Sequence, residues 1–226
     1  MPRKNRPNYS QIRYLITKLS PRSLISEQYR TVRTNIHFAS VGEGVQVILV
    51  ASASPGEGKS MTTANLAVVY AQHGKSVLII DADLRKPTVH YTFRVDNSQG
   101  LSNVLIGEKT LNEAVISSDV DNLDILTSGP IPPNPSELLD SKRMKTLLEE
   151  ARGLYDIILI DTPPILIVTD AKILANLCDG SILVVRSKCT EIEAAQKAIE
   201  ALKAADGKIL GTILNDSDKK KSYYYY

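Results

Sequence analysis

The segment Ala53-Ser54-Pro55-Gly56-Glu57-Gly58-Lys59-Ser60 constrains this chain more than any other. It follows the apolar, β-branched run Val45–Ala51 and precedes helical spacing over Ser60–His73. A glycine-containing loop between a buried strand and a helix is suited to wrapping phosphate. Gly56 and Gly58 let the backbone curl so that amide N–H groups point inward, and the helix aims its positive end at the same charge. Lys59 can reach the β/γ-phosphates as a point charge, and the Ser60 hydroxyl suits Mg2+. Ser54, Pro55, Gly56, Glu57, Gly58, Lys59, Ser60 and Met61 are therefore the expected contacts to ATP. A glycine turn that binds nothing does not account for the strand before it and the helix after it.

Two further strands end in carboxylates. Val77–Ile80 runs into Asp81 and Asp83, and alternate strand residues point the same way, so both acids leave on one side of the sheet. Ligands of open α/β sheets bind at that carboxyl end. One carboxylate can hold the metal shell while the other takes a proton; a solvated turn is the plainer reading. Ile157–Ile160 ends in Asp161 and continues Thr162-Pro163-Pro164. Four apolar residues followed by Asp is the Walker B pattern, whose carboxylate orients Mg2+ or its waters.

The rest of the chain supplies the scaffold for such a site. Apolar runs recur at Leu123–Leu126, Ile182–Val185 and Ile209–Leu214. Helical spacing covers Ser23–Ser40, Leu111–Ser117, Ser136–Arg152, Asp170–Leu177 and Ile192–Ala205. Continuous apolar strands alternating with helices predict an α/β fold, a mostly parallel sheet with helices on both faces. At 226 residues with 43% hydrophobic side chains the chain has material for one such domain. The formal charge of +2 is unevenly placed: residues 1–22 hold six basic side chains and no acid. That segment reads as a flexible basic arm for an acidic partner surface such as anionic lipid, and no nucleic-acid partner is expected. Two cysteines and three scattered histidines lack metal-ligand spacing. No secretory signal or bilayer-spanning run is evident, which predicts a cytoplasmic protein.

Asn134-Pro135-Ser136-Glu137 suits a helix start after the stiff loop Gly129–Pro135, for which structural and functional readings are equally open. Residues 216–226 are expected to form a flexible tail: polar, then basic at Lys219–Lys221, then Tyr223, Tyr224, Tyr225 and Tyr226.

Taken together, Walker A, the strand ending Asp81-x-Asp83-x-Arg85-Lys86-Pro87, and Asp161-Thr162-Pro163-Pro164 resemble the bacterial protein-tyrosine kinase (BY-kinase) family over about residues 23–226. The likeness is to its capsule and exopolysaccharide branch, in which the kinase is a separate cytoplasmic chain. The resemblance implies a P-loop fold of the Min/Par type and an ATP-dependent, Mg2+-requiring autokinase. It implies that Lys59 stabilises the transferring phosphoryl group and that Ser60, Asp81 and Asp161 form the metal shell. Asp81 and Asp83 would divide metal positioning and deprotonation of tyrosine, with Asp81 preferred as base, while Arg85 and Lys86 stabilise charge. Asn215 could touch the base. The tyrosine cluster would be the phosphoacceptor, presented in trans; eight residues from Asn215 span at most ~26–29 Å, which allows cis or trans transfer. Glu27, Arg30 and Arg33, three apart on one helix face, read by themselves as a solvated face, but they match the family's subunit-contact segment, and the resemblance implies a charged seam of a homo-oligomeric ring. A transmembrane activator holding the chain at the inner membrane face, a phosphotyrosine phosphatase and other protein substrates are further implied partners.

Two readings compete. A Min/Par switch ATPase shares the fold and motifs, but its signature lysine falls where this chain has Ser54, and it leaves the tyrosines unexplained. A nucleotide-gated, non-catalytic partner of a polysaccharide export complex would use the same site for binding alone.

Overall fold

The computed structural model describes residues 14–39 and 44–217. Seven strands form one sheet: β1 (Val47–Ser52), β2 (Val77–Asp81), β3 (Ile116–Ser117), β4 (Leu123–Leu126), β5 (Ile157–Asp161), β6 (Gly180–Arg186) and β7 (Ile209–Asn215). Their order is β3-β4-β2-β5-β1-β6-β7, and all pairings are parallel except β3 with β4. The helices are α1 (Ile16–Leu19), α2 (Leu24–Ala39), α3 (Lys59–Ala71), α4 (Val89–Phe93), α5 (Leu101–Ile106), α6 (Leu111–Ala114), α7 (Pro135–Leu139), α8 (Lys142–Arg152), α9 (Asp170–Ala175) and α10 (Ile192–Ala204).

The central strands β1, β2 and β5 are buried along their whole length because both faces are covered. Alternate residues serve different layers. Leu49, Ile80 and Ile160 pack with Leu139, Leu147 and Leu202, whereas Ile48, Ile79 and Leu159 pack with Ile36, Leu66 and Val69. This explains why the strands read as continuous apolar runs. The parallel register also sets Asp81 directly beside Asp161.

Four expectations are corrected. Residues 14–22, placed within the basic arm, are partly folded: α1 docks on α3, with Thr17 fully buried and donating from N and Oγ1 to Asn65 Oδ1 (3.1 and 2.9 Å). The helix expected over Ser136–Arg152 is two helices. Ser141 restarts it as N-cap, its Oγ accepting Met144 N–H at 3.3 Å. The stretch Leu111–Ser117 gives α6 and then the short antiparallel edge β3 rather than one helix. Pro135 does open α7, but Asn134 donates its amide to Glu137 (2.7 Å) instead of capping the backbone.

Asp179 fastens the pole of the sheet opposite the phosphate loop. Its carboxylate accepts Gln46 and Val47 N–H (2.9 and 2.7 Å) and the Arg152 guanidinium (2.8 and 2.6 Å). Burial acts to raise its pKa, but Arg152 and the two amides outweigh it and hold the carboxyl below its ordinary value. A depressed carboxylate stabilises the fold above its unfolded pKa and loses that contribution as pH falls through its folded one. Asp179→Ala is expected to cost about 2 kcal/mol, discounted for partial exposure. At this chain length that lowers the melting midpoint by roughly 4–8 °C. Calorimetry across pH checks both the cost and its loss in acid.

Candidate active site

The carboxyl ends of β1, β2, β5, β6 and β7 surround a cavity of about 610 Å³. Its floor is the loop after β1. Gly56 and Gly58 have φ of +79° and +86°, and Gly58 is the N-cap of α3, so the helix starts at Lys59 with its N-terminus facing the cavity. A Cβ on Gly58 would lie 1.9 Å from Asn215 Nδ2, so a side chain there would have to displace that amide as well as adopt a left-handed backbone. Pro55, Gly56, Glu57, Gly58, Lys59, Ser60, Met61 and Asn215 all line the cavity, while Ser54 lies behind it and donates its N–H to Glu57 (3.1 Å).

Glu57 is almost fully buried and clamps the loop. Besides Ser54 N–H it accepts the Thr190 hydroxyl (2.5 Å), and its own carbonyl accepts Asn215 Nδ2 (2.9 Å). The loop is thereby tied to β7 and to the turn after β6. Arg186 adds a contact to the Gly56 carbonyl (3.4 Å) and pairs with Asp216 (2.8 Å).

Beneath the loop, Lys59 Nζ lies 2.5 Å from Asp161 Oδ1, and Thr63 donates to the same oxygen at 3.3 Å. Asp161 is completely buried, and its Oδ2 has no hydrogen-bond partner among the described residues. Asp81 is equally buried; its carboxylate accepts N–H groups of Asp83 (3.2 Å), Thr88 and Val89 (both 2.9 Å). Burial and the adjacent Asp161 charge push the Asp81 carboxyl up to about 7, against the Val89 and Thr88 amides and Lys59. Asp83, not Asp81, reaches the cavity wall, and its Oδ1 accepts Arg85 and Lys86 N–H (3.3 and 3.0 Å). Arg85, Lys86 and Thr88 continue that wall, and Pro163, Pro164, Ile167 and Val168 supply an apolar one.

The donor set fits magnesium. Ser60 Oγ and the unpartnered Asp161 oxygen are hard ligands, and Mg2+ takes one or two carboxylates with phosphates and water completing its shell. Among the described residues no cluster of three His, Cys, Asp or Glu could hold a metal unaided.

Glu27, Arg30 and Arg33 lie outside the cavity lining, on α2. Arg30 pairs with Glu27 and donates to the Pro21 carbonyl (2.6 Å), while Arg33 reaches the Val69 carbonyl (3.2 Å). The tyrosines at 223–226 and the lysines before them fall outside the described residues. Sequence reasoning missed Arg186, Thr190, Asp216 and Asp170. Arg186 ends β6 at the ligand side of the sheet, a position rule that could have marked it; the others show themselves through contacts alone.

A phosphate loop feeding α3, two buried strand-end aspartates and a mostly parallel sheet define a P-loop ATPase of the MinD type. Residues 45–212 match the AAA domain family (AAA_31). MinD complexed with Mg-ADP from Pyrococcus horikoshii OT3 aligns with a TM-score of 0.66 and 29% identity, covering 76% of this chain and 72% of that one. The kinase domain of the Escherichia coli tyrosine kinase ETK aligns more fully, with a TM-score of 0.89, 36% identity and coverage of 94% and 84%. The tyrosine-protein kinase YwqD of Bacillus subtilis is 55% identical over 226 residues, 99% of this chain and 95% of the relative. The chain belongs to the bacterial tyrosine-protein kinase family, as its motifs led us to expect. No helix among the described residues is long and apolar enough to cross a membrane.

Proposed function

We propose that this chain transfers the γ-phosphoryl group of ATP to tyrosine hydroxyls, first to Tyr223–Tyr226 of a neighbouring copy. The observation that carries the reading is a P-loop cavity with a carboxylate-bearing wall in a member of a tyrosine kinase family. The loop amides and Lys59 bind the phosphates, and Lys59 neutralises charge on the transferring group. Ser60 and Asp161 would hold Mg2+, with Asp81 beside them; the metal supplies charge neutralisation on the phosphate oxygens. The Asp81–Asp83 pair supplies the proton acceptor for the tyrosine hydroxyl: Asp83 stands on the cavity wall, and burial beside the Asp161 charge raises the basicity of Asp81. Arg85 and Lys86 add fixed positive charge at the mouth. Catalysis is then positioning and electrostatics, as phosphoryl transfer requires.

The tyrosine cluster at 223–226 favours transfer over a bare switch cycle, and Ser54 stands where Min/Par ATPases carry their signature lysine. Assembly through α2 as a ring, activation by a membrane-spanning partner at the inner membrane face, resetting by a phosphatase and control of polysaccharide synthesis and export rest on the family resemblance.

Transfer between copies is testable by mixing. A Lys59→Met chain with an intact tail is combined with an active chain whose four tail tyrosines are Phe. Phosphate on the Lys59→Met tail is expected; a wild-type chain that labels itself while this mixture stays unlabelled would show transfer within one chain.

A further inference from the structure

Arg85, on the cavity wall, pairs with Asp170, 85 positions away and buried behind it. Arg85 Nε donates to Asp170 Oδ2 (2.8 Å) and Nη2 to Oδ1 (3.0 Å), a two-point clasp of the guanidinium. Ser136 Oγ completes the cluster, accepting from Arg85 Nη2 (2.9 Å) and donating to Asp170 Oδ1 (2.8 Å). The Asp170 side chain is wholly buried at the start of α9, whereas Arg85 is 38% exposed and lines the cavity. Nη1 takes no part in the clasp. The backbone of Arg85 is held as well, through its N–H to Asp83.

An unrestrained arginine is spread over many rotamers, and a charge that must reorganise during reaction stabilises little. Here the carboxylate is buried behind the cation and the cation faces the cleft. The stiff loop Gly129–Pro135 ends by delivering Ser136 to the same cluster, which gives that loop a role.

We propose that Asp170, assisted by Ser136, is a positioning residue for phosphoryl transfer, fixing Arg85 so that its charge faces the reacting phosphate. The proposal rests on the kinase reading above. It makes Asp170 act through Arg85 alone, which a double-mutant cycle decides. In the full chain with Mg-ATP, Asp170→Asn is expected to lower kcat about tenfold and to leave KM for ATP within about twofold, since the phosphate loop is untouched. Arg85→Gln is expected to lower kcat on the order of 100-fold, and adding Asp170→Asn to it should change kcat by less than about twofold. Ser136→Ala, which leaves the ion pair, should cost about threefold, again only when Arg85 is present; it decides the matter if Asp170→Asn fails to fold.

Equal losses in both backgrounds, or a change confined to KM, would overturn the proposal. The cycle is read on both tyrosine phosphorylation and ATP turnover. A wild-type chain that turned over ATP without labelling tyrosine would defeat the kinase reading, while the turnover cycle would still decide the coupling.

Discussion

Lys59→Met is expected to lower tyrosine phosphorylation by at least about 10³-fold. Loss of one preorganised donor to a reacting oxyanion costs about 10²–10³ in kcat, and Lys59 is a full charge, nearly buried, at the head of the phosphate-binding helix. Methionine keeps the length and apolar stem of the side chain but cannot neutralise phosphate. The substitution acts on the fold as well. Lys59 is the cation within reach of Asp161, and without it that carboxylate stays buried beside Asp81. Removing one partner of a buried pair costs about 3–5 kcal/mol, so Lys59→Met should melt earlier than wild type in nucleotide-free buffer. Single-turnover phosphorylation and calorimetry on one preparation measure both effects. A variant that still labelled its tail within tenfold of wild type would remove Lys59 from the chemistry.

Replacing Tyr223–Tyr226 together by Phe should reduce phosphate incorporation to background while ATP hydrolysis stays within about twofold. Phenylalanine preserves the ring and removes the nucleophile, so the nucleotide site is unchanged. Within the domain, Tyr14 and Tyr91 are exposed and serve as internal controls, whereas burial pushes the Tyr70 hydroxyl up to about 12, against the Arg33 charge. Phosphate retained at Tyr14 or Tyr91 in the four-Phe variant would show a different acceptor. Peptide mass spectrometry with parallel measurement of released phosphate separates these results.

The sequence disclosed those parts of the molecule whose signal is local. The phosphate loop depends on neighbouring residues, and the buried strands on runs of apolar side chains covered on both faces, so each could be read from a short window. The break between α7 and α8 was also local in principle, since Asp140-Ser141 carries a capping residue, but a continuous helical pattern masked it. Folding of Thr17 onto Asn65 was not legible locally: a four-residue helix is held by a partner 48 positions away. The site divides the same way. Strand-end aspartates announce themselves, yet burial decides their character, leaving Asp81 enclosed behind the cavity and Asp83 on its wall. Asp170 lay in a helix start like many others, and only the fold brings it to Arg85.

Intact-mass spectrometry of the full chain after incubation with Mg-ATP, beside Lys59→Met, separates an autokinase from a switch ATPase. Autokinase chemistry predicts added phosphates in the wild type alone, mapping to Tyr223–Tyr226. An unmodified wild-type chain that hydrolyses ATP steadily, with an activator segment supplied, would contradict it and leave a switch ATPase on the same fold.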